Sequence, residues 1–368
     1  MRVAGGRPHR RTGLFPGSAA CLLPAKELQL VGRSAASYTN DMATVELEID
    51  ADERHVASSH ADFVLAHLSD LHLSTLDGVS PRALLDKRIL GYITWRLRRR
   101  HEHRTDVLDA LRTDLHAEHF DHIAVTGDLT HLGLPQEFRE AATWLARLGK
   151  PEAITVVPGN HDAYVRESWR ETFAQWSAYM QGDGGGEISG PDDAFPSLRI
   201  RREVALIGLS TARPTAPFLA TGSLGEGQLQ RLDRMLAQTA GAGLFRVVLL
   251  HHPPAAHTVR WRKSLLDGAA LRDVLARHGV ELVLHGHAHF SAATYLDAAR
   301  GHLALGVPSA SAIGAKVDRH ATYHVYRIAR AGAGWRLRVS VRAFSLERGR
   351  FVPEDGRRLR LALAATPA

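Results

Sequence analysis

Six short runs rich in Val, Leu and Ile punctuate the chain: "FVLAHL" (63–68), "HIAVTG" (122–127), "AITVVPG" (153–159), "VALIGLS" (204–210), "RVVLLHH" (246–252) and "VELVLHG" (280–286). Their apolar residues are continuous rather than alternating, which predicts strands buried on both faces. Between several of them lie stretches with apolar residues at helical spacing. "VLDALRTDLHAEH" (107–119) is one, and "EFREAATWLARLG" (137–149) and "LRDVLARHG" (271–279) end at Gly149 and Gly279. Strand and helix in alternation predict an α/β sheet. Further on, "GHLALGVPS", "TYHVYRIAR" and "GWRLRVSVRAF" are β-rich without long helices between them, and predict an antiparallel portion of a second sheet. Residues 1–60 sustain no period, and the Arg-rich, Gly/Pro-punctuated start predicts a disordered extension. It reads either as a transit peptide or as sequence upstream of a start at Met42. Residues 61–346 form the expected domain, and 347–368 a tail.

Polar residues stand where these runs end, and in an open α/β sheet ligands bind at the carboxyl ends of strands. The first run gives Asp70 and His72, and the second Gly127-Asp128. The third gives Gly159-Asn160-His161-Asp162, a later one His251-His252, and the last Gly286-His287-Ala288-His289. Each fragment alone is weak, since Gly-Asp after a strand is usually a turn. Together, in this order, they point to one site. Asp, Asn and His without Cys offer oxygen and nitrogen ligands, which suit Mn, Fe or Zn better than a thiolate site would. The seven candidates, Asp70, His72, Asp128, Asn160, His251, His287 and His289, are too many for one tetrahedral ion. They suit two cations sharing a carboxylate, the arrangement that clamps both oxygens of a displacement at phosphorus. Adjacent side chains on a strand point to opposite faces, so only one of His251 and His252 is expected to bind metal.

These elements resemble the signature of the calcineurin-like metallophosphoesterases: D-x-H, then G-D, G-N-H-[DE], a strand-terminal His, and G-H-x-H. The resemblance spans roughly Phe63 to Phe344. It implies a four-layer α/β/β/α sandwich with two mixed sheets and a phosphate-ester substrate. It implies two divalent or mixed-valence ions, one held by Asp70, His72, Asp128 and His289, the other by Asp128, Asn160, His251 and His287. Asp128 and a hydroxide bridge them, and the hydroxide attacks phosphorus. His161 then faces the substrate phosphate, where it stabilises charge or protonates the leaving oxygen. Asp162 beside it is expected to hold the imidazole's orientation and tautomer. "GDLTHLG" and "LLHHPP" look like bacterial cyclic-nucleotide phosphodiesterases of this superfamily, which makes a phosphodiester the first substrate expected.

Composition changes this picture little. The chain is 45% hydrophobic and 23% charged, ordinary globular values. Cys21 is its only cysteine, so no intrachain disulfide framework exists, which fits a reducing, cytoplasmic compartment. The net charge is +7. P-loop, dinucleotide and serine-hydrolase motifs are lacking. Without a base-stacking motif beside the Arg runs, no nucleic-acid partner is expected. One stretch stays unassigned: "SPRALLDKRILGYITWRLRRRHEHR" (80–104) reads as a basic amphipathic helix, or two broken at Gly91. It fits an ordinary helix with its arginines in water. It also fits a lid, or a peripheral contact with an anionic inner membrane. The last option would suit a pyrophosphatase acting on a nucleotide-linked lipid such as UDP-diacylglucosamine. A non-catalytic metal-binding scaffold is the alternative from another class.

Overall fold

The computed structural model describes residues 35–40, 43–49, 62–297, 302–313, 320–354 and 361–362. The run at 63–68 is strand β3 (Phe63–Leu68), buried along its whole length as its continuous hydrophobicity requires. Parallel to it lie β4 (His122–Val125) and β5 (Ile154–Val156). On its other side β12 (Thr322–Ala331) and β13 (Gly334–Ser345) pair antiparallel. A hairpin of β1 (Ala35–Asn40) and β2 (Ala43–Ile49) adds to β13, as does β14 (Arg350–Glu354). The second sheet runs in the order β15 (Leu361–Ala362), β10 (Ala292–Asp297), β11 (His302–Gly306), β9 (Leu282–His285), β8 (Phe245–Leu249), β7 (Val204–Gly208) and β6 (Ser197–Arg201). Both sheets mix parallel and antiparallel pairs.

The two sheets pack face to face, and β8 shows the logic. Val247 and Leu249 turn to the core shared with Leu65, Val125 and Val325, while Val248 and Leu250 turn outward. That outer face is covered by α7 (Glu226–Gly241), through Leu232 and Leu236, and by α8 (Gly268–His278), through Leu271 and Leu275. On the first sheet α3 (Thr105–Ala117) and α4 (Pro135–Leu148) bury Leu111, Leu115, Phe138 and Leu145. The result is the four-layer α/β/β/α sandwich with two mixed sheets. Between β3 and α3 run α1 (Arg88–Thr94), a π-turn over Trp95–Arg99 and the single turn α2 (Arg100–Glu102). The helix continues through Gly91 and is instead distorted at 95–99. Short α5 (Ser177–Met180) and α6 (Pro191–Ala194) flank the Gly-rich stretch 181–190.

Three sequence expectations differ from this architecture. β12 and β13 belong to the first sheet, not the second, because β12 returns to pair with β3. Residues 35–40 and 43–49, expected in a disordered extension, form strands; "TVELEI" alternates apolar and charged residues as an edge hairpin does. Residues 350–354 and 361–362 of the expected tail also pair in the sheets. The rest of the 1–60 and 347–368 assignments lies largely outside the described residues. Among the described residues no helix is long and apolar enough to cross a membrane.

Candidate metal centre

Strands β3, β4, β5, β8 and β9 from both sheets end at one rim, and each delivers candidate ligands there. Asp70, His72 and His289 bring ligand atoms within 4.8 Å of one another, as do Asp128, His251 and His287. His72, Asp128 and His161 form a third such group, so Asp128 stands between the two sides. Asn160 joins through Oδ1, 3.2 Å from His251 Nε2. His289 Nε2 lies 3.0 Å from Asp70 Oδ1, and His251 Nε2 3.3 Å from Asp128 Oδ2. All seven sequence candidates are therefore neighbours.

The backbone is bent to achieve this. Asp70, His72, Asp128, His287 and His289 all have positive φ, between 45° and 65°. A left-handed non-glycine residue costs on the order of 1 kcal/mol, and such strain persists only where surrounding structure enforces it. Here the loops enforce one another. Asp70 N–H donates to Gly127 O and His72 N–H to Asp128 O, while His287 N–H donates to Asp70 Oδ2 and His161 N–H to Asp128 Oδ1. Gly159 and Gly286 permit the close approach. A methyl at Gly159 would overlap Asp128, and one at Gly286 would overlap Ser69 and Asp70.

Three of the four candidate imidazoles are aimed by their second nitrogen. His72 Nδ1–H donates to Thr130 O (2.8 Å), His251 Nδ1–H to Thr126 O (2.6 Å) and His287 Nε2–H to Lys263 O (3.0 Å). A carbonyl only accepts, so this fixes the tautomer, and in His72 and His287 it leaves the other nitrogen's lone pair free for a ligand. The buried His72 Nε2 has no hydrogen-bond partner, and Asp70 Oδ1 meets only His289 Nε2. Buried polar atoms are normally paired. This orphan, with an all-oxygen-and-nitrogen donor set, fits divalent cations. His252 is turned away: Nδ1 meets the Thr211 hydroxyl and Nε2 the Ala220 carbonyl.

The electrostatics agree. Burial pushes the Asp70 carboxyl up, but the charge and hydrogen bond of His289 outweigh it and hold Asp70 well below the usual range. Burial pulls His251 down, but the Asp128 charge wins and pushes it up to about 9. At pH 7 a proton thus sits on His251, where a cation would need a neutral ring. Mn²⁺ binding at pH 7 is expected to release about one proton from this pair, and apparent affinity should rise as pH rises towards about 9. The same shift stabilises the metal-free chain fully below about 6.5, and that gain is lost as pH rises through about 9. Calorimetry in buffers of different ionisation enthalpy checks the release; a binding heat independent of buffer contradicts it.

Asp162 lies elsewhere than expected. Its buried carboxylate accepts the N–H groups of Gly159 (2.8 Å), Asp128 (2.9 Å) and Thr130 (3.0 Å), while the His161 ring bonds to His131 and Arg99. The acidic side chain after His161 ties two ligand loops together. His161 is aimed instead by His131, whose carbonyl accepts from Nδ1–H, and its Nε2 accepts from Arg99 Nη1 at 2.9 Å. His131, stacked on His72, lies within the quoted "GDLTHLG" but was not singled out, and Arg99 had no motif to mark it.

Residues 63–291, more than half of the chain, match the family model described as calcineurin-like phosphoesterase. A probable cyclic nucleotide phosphodiesterase of Synechococcus sp. is 30% identical over 228 residues, 61% of this chain and 72% of that protein. A cAMP/cGMP dual specificity phosphodiesterase of Mycobacterium tuberculosis is 28% identical over 62% of this chain, which spans only 63% of that protein's length. In fold, the chain is similar to a dimetal phosphatase from Danio rerio, with TM-score 0.54 and 14% identity over 80% of this chain and 99% of the other. The chain belongs to the calcineurin-like phosphoesterase family.

Proposed function

We propose that the chain hydrolyses a phosphodiester, with cyclic nucleotides the first class to test, at a centre built for two metal ions. The observation that carries this reading is Asp128, one carboxylate grouped both with His72, whose buried Nε2 has no hydrogen-bond partner, and with His251 and His287. Asp70, His72 and His289 would hold one cation, and Asn160, His251 and His287 the other, with Asp128 facing both. When bound, such a pair supplies Lewis-acid charge and a nucleophile at neutral pH. The phosphodiesterase names of the two relatives favour the diester.

The chain's own contribution centres on His161. With Nδ1–H tied to a carbonyl, Nε2 is the atom left to face substrate. Burial, and after it the Arg99 charge, pushes this imidazole down to about 4. A phosphoryl anion placed between the two reverses the sign of that second effect and favours a proton on Nε2, from where it can pass to the leaving oxygen. The test is hydrolysis of bis-p-nitrophenyl phosphate, cAMP and cGMP by purified protein with added Mn²⁺. Turnover that disappears with a chelator and returns with Mn²⁺ is expected; absence of turnover on every diester would sink the reading.

A second reading, cleavage of a nucleotide-linked lipid pyrophosphate, draws on one observation. Leu85 and Leu97 are 86% and 77% exposed, and Ile89 and Ile93 lie between them on the segment that carries Arg96, Arg98 and Arg100. Pelleting with anionic liposomes, with and without residues 80–104, separates the readings: binding retained after deletion removes the motive for the lipid.

A further inference from the structure

The stretch 80–104 is fixed at both ends, unlike a helix simply resting in water. At its start the buried Arg88 donates to Leu132 O (3.0 Å) and Gly133 O (2.7 Å) and pairs with Glu167 (2.7 Å). At its end His103 Nδ1 meets the Ser311 hydroxyl at 2.8 Å, and Ile313 N–H donates to Glu102 O. Between these anchors the π-turn, a feature common at functional sites, turns two side chains inward. Trp95 is buried against Tyr92 and the edge of His131. Arg99, four residues on, reaches the centre, while Arg96, Leu97, Arg98 and Arg100 face solvent.

Arg99 differs from three other arginines of this stretch in its partners. Arg88, Arg98 and Arg104 each pair with a carboxylate. Among the described residues the Arg99 guanidinium hydrogen-bonds only to the His161 ring, so most of its donors are unspent. It sits within electrostatic reach of Asp128 and Asp70 without bonding to either. Cations on those aspartates would cancel their attraction and leave a half-buried guanidinium facing like charge, and an anion between them would balance that arrangement. An arginine fork matches the paired oxygens of a tetrahedral phosphoryl group.

We infer that Arg99 is a ligand of the substrate's phosphoryl oxygens, carried over the metal centre by the 80–104 segment and acting beside His161. This rests on the phosphoesterase reading above and adds to it a binding residue outside the family's motifs. The donor faces oxygens on which charge builds during displacement, so it should favour the transition state over the ground state.

The test uses the full chain with Mn²⁺ and three variants: Arg99→Gln, Arg99→Lys and, as a neighbour outside the site, Arg98→Gln. Metal content and thermal melting are measured first, then kcat/KM on bis-p-nitrophenyl phosphate, then the dissociation constant for inorganic phosphate. Arg99→Gln is expected to keep its metal, lose about a hundredfold in kcat/KM and bind phosphate at least about tenfold more weakly. Arg99→Lys, with charge but no fork, should fall between, and Arg98→Gln should match the wild type. Arg99 variants within twofold of wild type in both constants overturn the inference. So does loss of metal or fold in both variants, which would make the role structural. Phosphate binding that depends on Arg99 in a protein that hydrolyses no ester would overturn the proposed function and keep this inference.

Discussion

Asp128→Asn is expected to lower hydrolysis of a phosphodiester by roughly a thousandfold or more and to cost the protein at least one of its metal ions. The substitution keeps size and shape and removes one charge. In the metal-free chain that charge holds His251 up at about 9. Without it the Asp70 charge and the Thr126 carbonyl are left to oppose burial, and the imidazole should fall from about 9 and give up its proton more readily. The fold should survive, because the buried pair loses charge on both sides and no ion is stranded. The group of Asp70, His72 and His289 should still recruit a cation. Elemental analysis, a melting curve and the His251 titration followed by NMR check the three parts separately. Full activity with two ions per chain would contradict the sharing of Asp128. An inactive wild type that nonetheless binds metal would instead support the scaffold reading.

The centre was largely legible because its chemistry constrains residue type and place together. A cation at a strand end needs Asp, Asn or His there, and each stands directly after a run whose continuous hydrophobicity marks the strand. The left-handed backbone at Asp70, His72, Asp128, His287 and His289 was not legible, since residue identity does not encode φ. The helix layers were legible from apolar spacing. The sheet to which β12 and β13 return was not, because alternation is a local property and strand pairing is not. Arg99 shows the same limit at the site itself. In "RLRRR" nothing distinguishes it from Arg98 or Arg100; only the anchors at Arg88, Trp95 and His103 decide which arginine turns inward.

Asp162 separates what adjacency suggests from what the fold does, and its replacement is expected to have the largest effect on stability. Orienting His161 was the role its position predicted. Under that role Asp162→Ala would leave stability and metal content intact and lower kcat alone, much as His161→Ala should, by about 10²–10⁴-fold. The hydrogen bonds point to a different result. Oδ2 accepts the N–H groups of both Gly159 and Asp128, and Oδ1 accepts the N–H of Thr130 and lies 3.0 Å from its hydroxyl. Alanine would leave three backbone donors without acceptors in a buried loop, at about 1–3 kcal/mol each where water cannot enter. A total loss on the order of 4 kcal/mol or more follows, and the loops that carry Asp128 and Asn160 should lose their metal with it. Asparagine should not rescue this, because both oxygens accept and an amide offers only one acceptor; its NH₂ would face a donor on either side. Urea unfolding of Asp162→Ala and Asp162→Asn, with metal content measured in parallel, decides between the roles. Wild-type stability and two ions in either variant, with kcat alone reduced, would return Asp162 to the side of His161. A joint loss of stability and metal in both variants makes it the brace that holds the β4 and β5 loops at bonding distance.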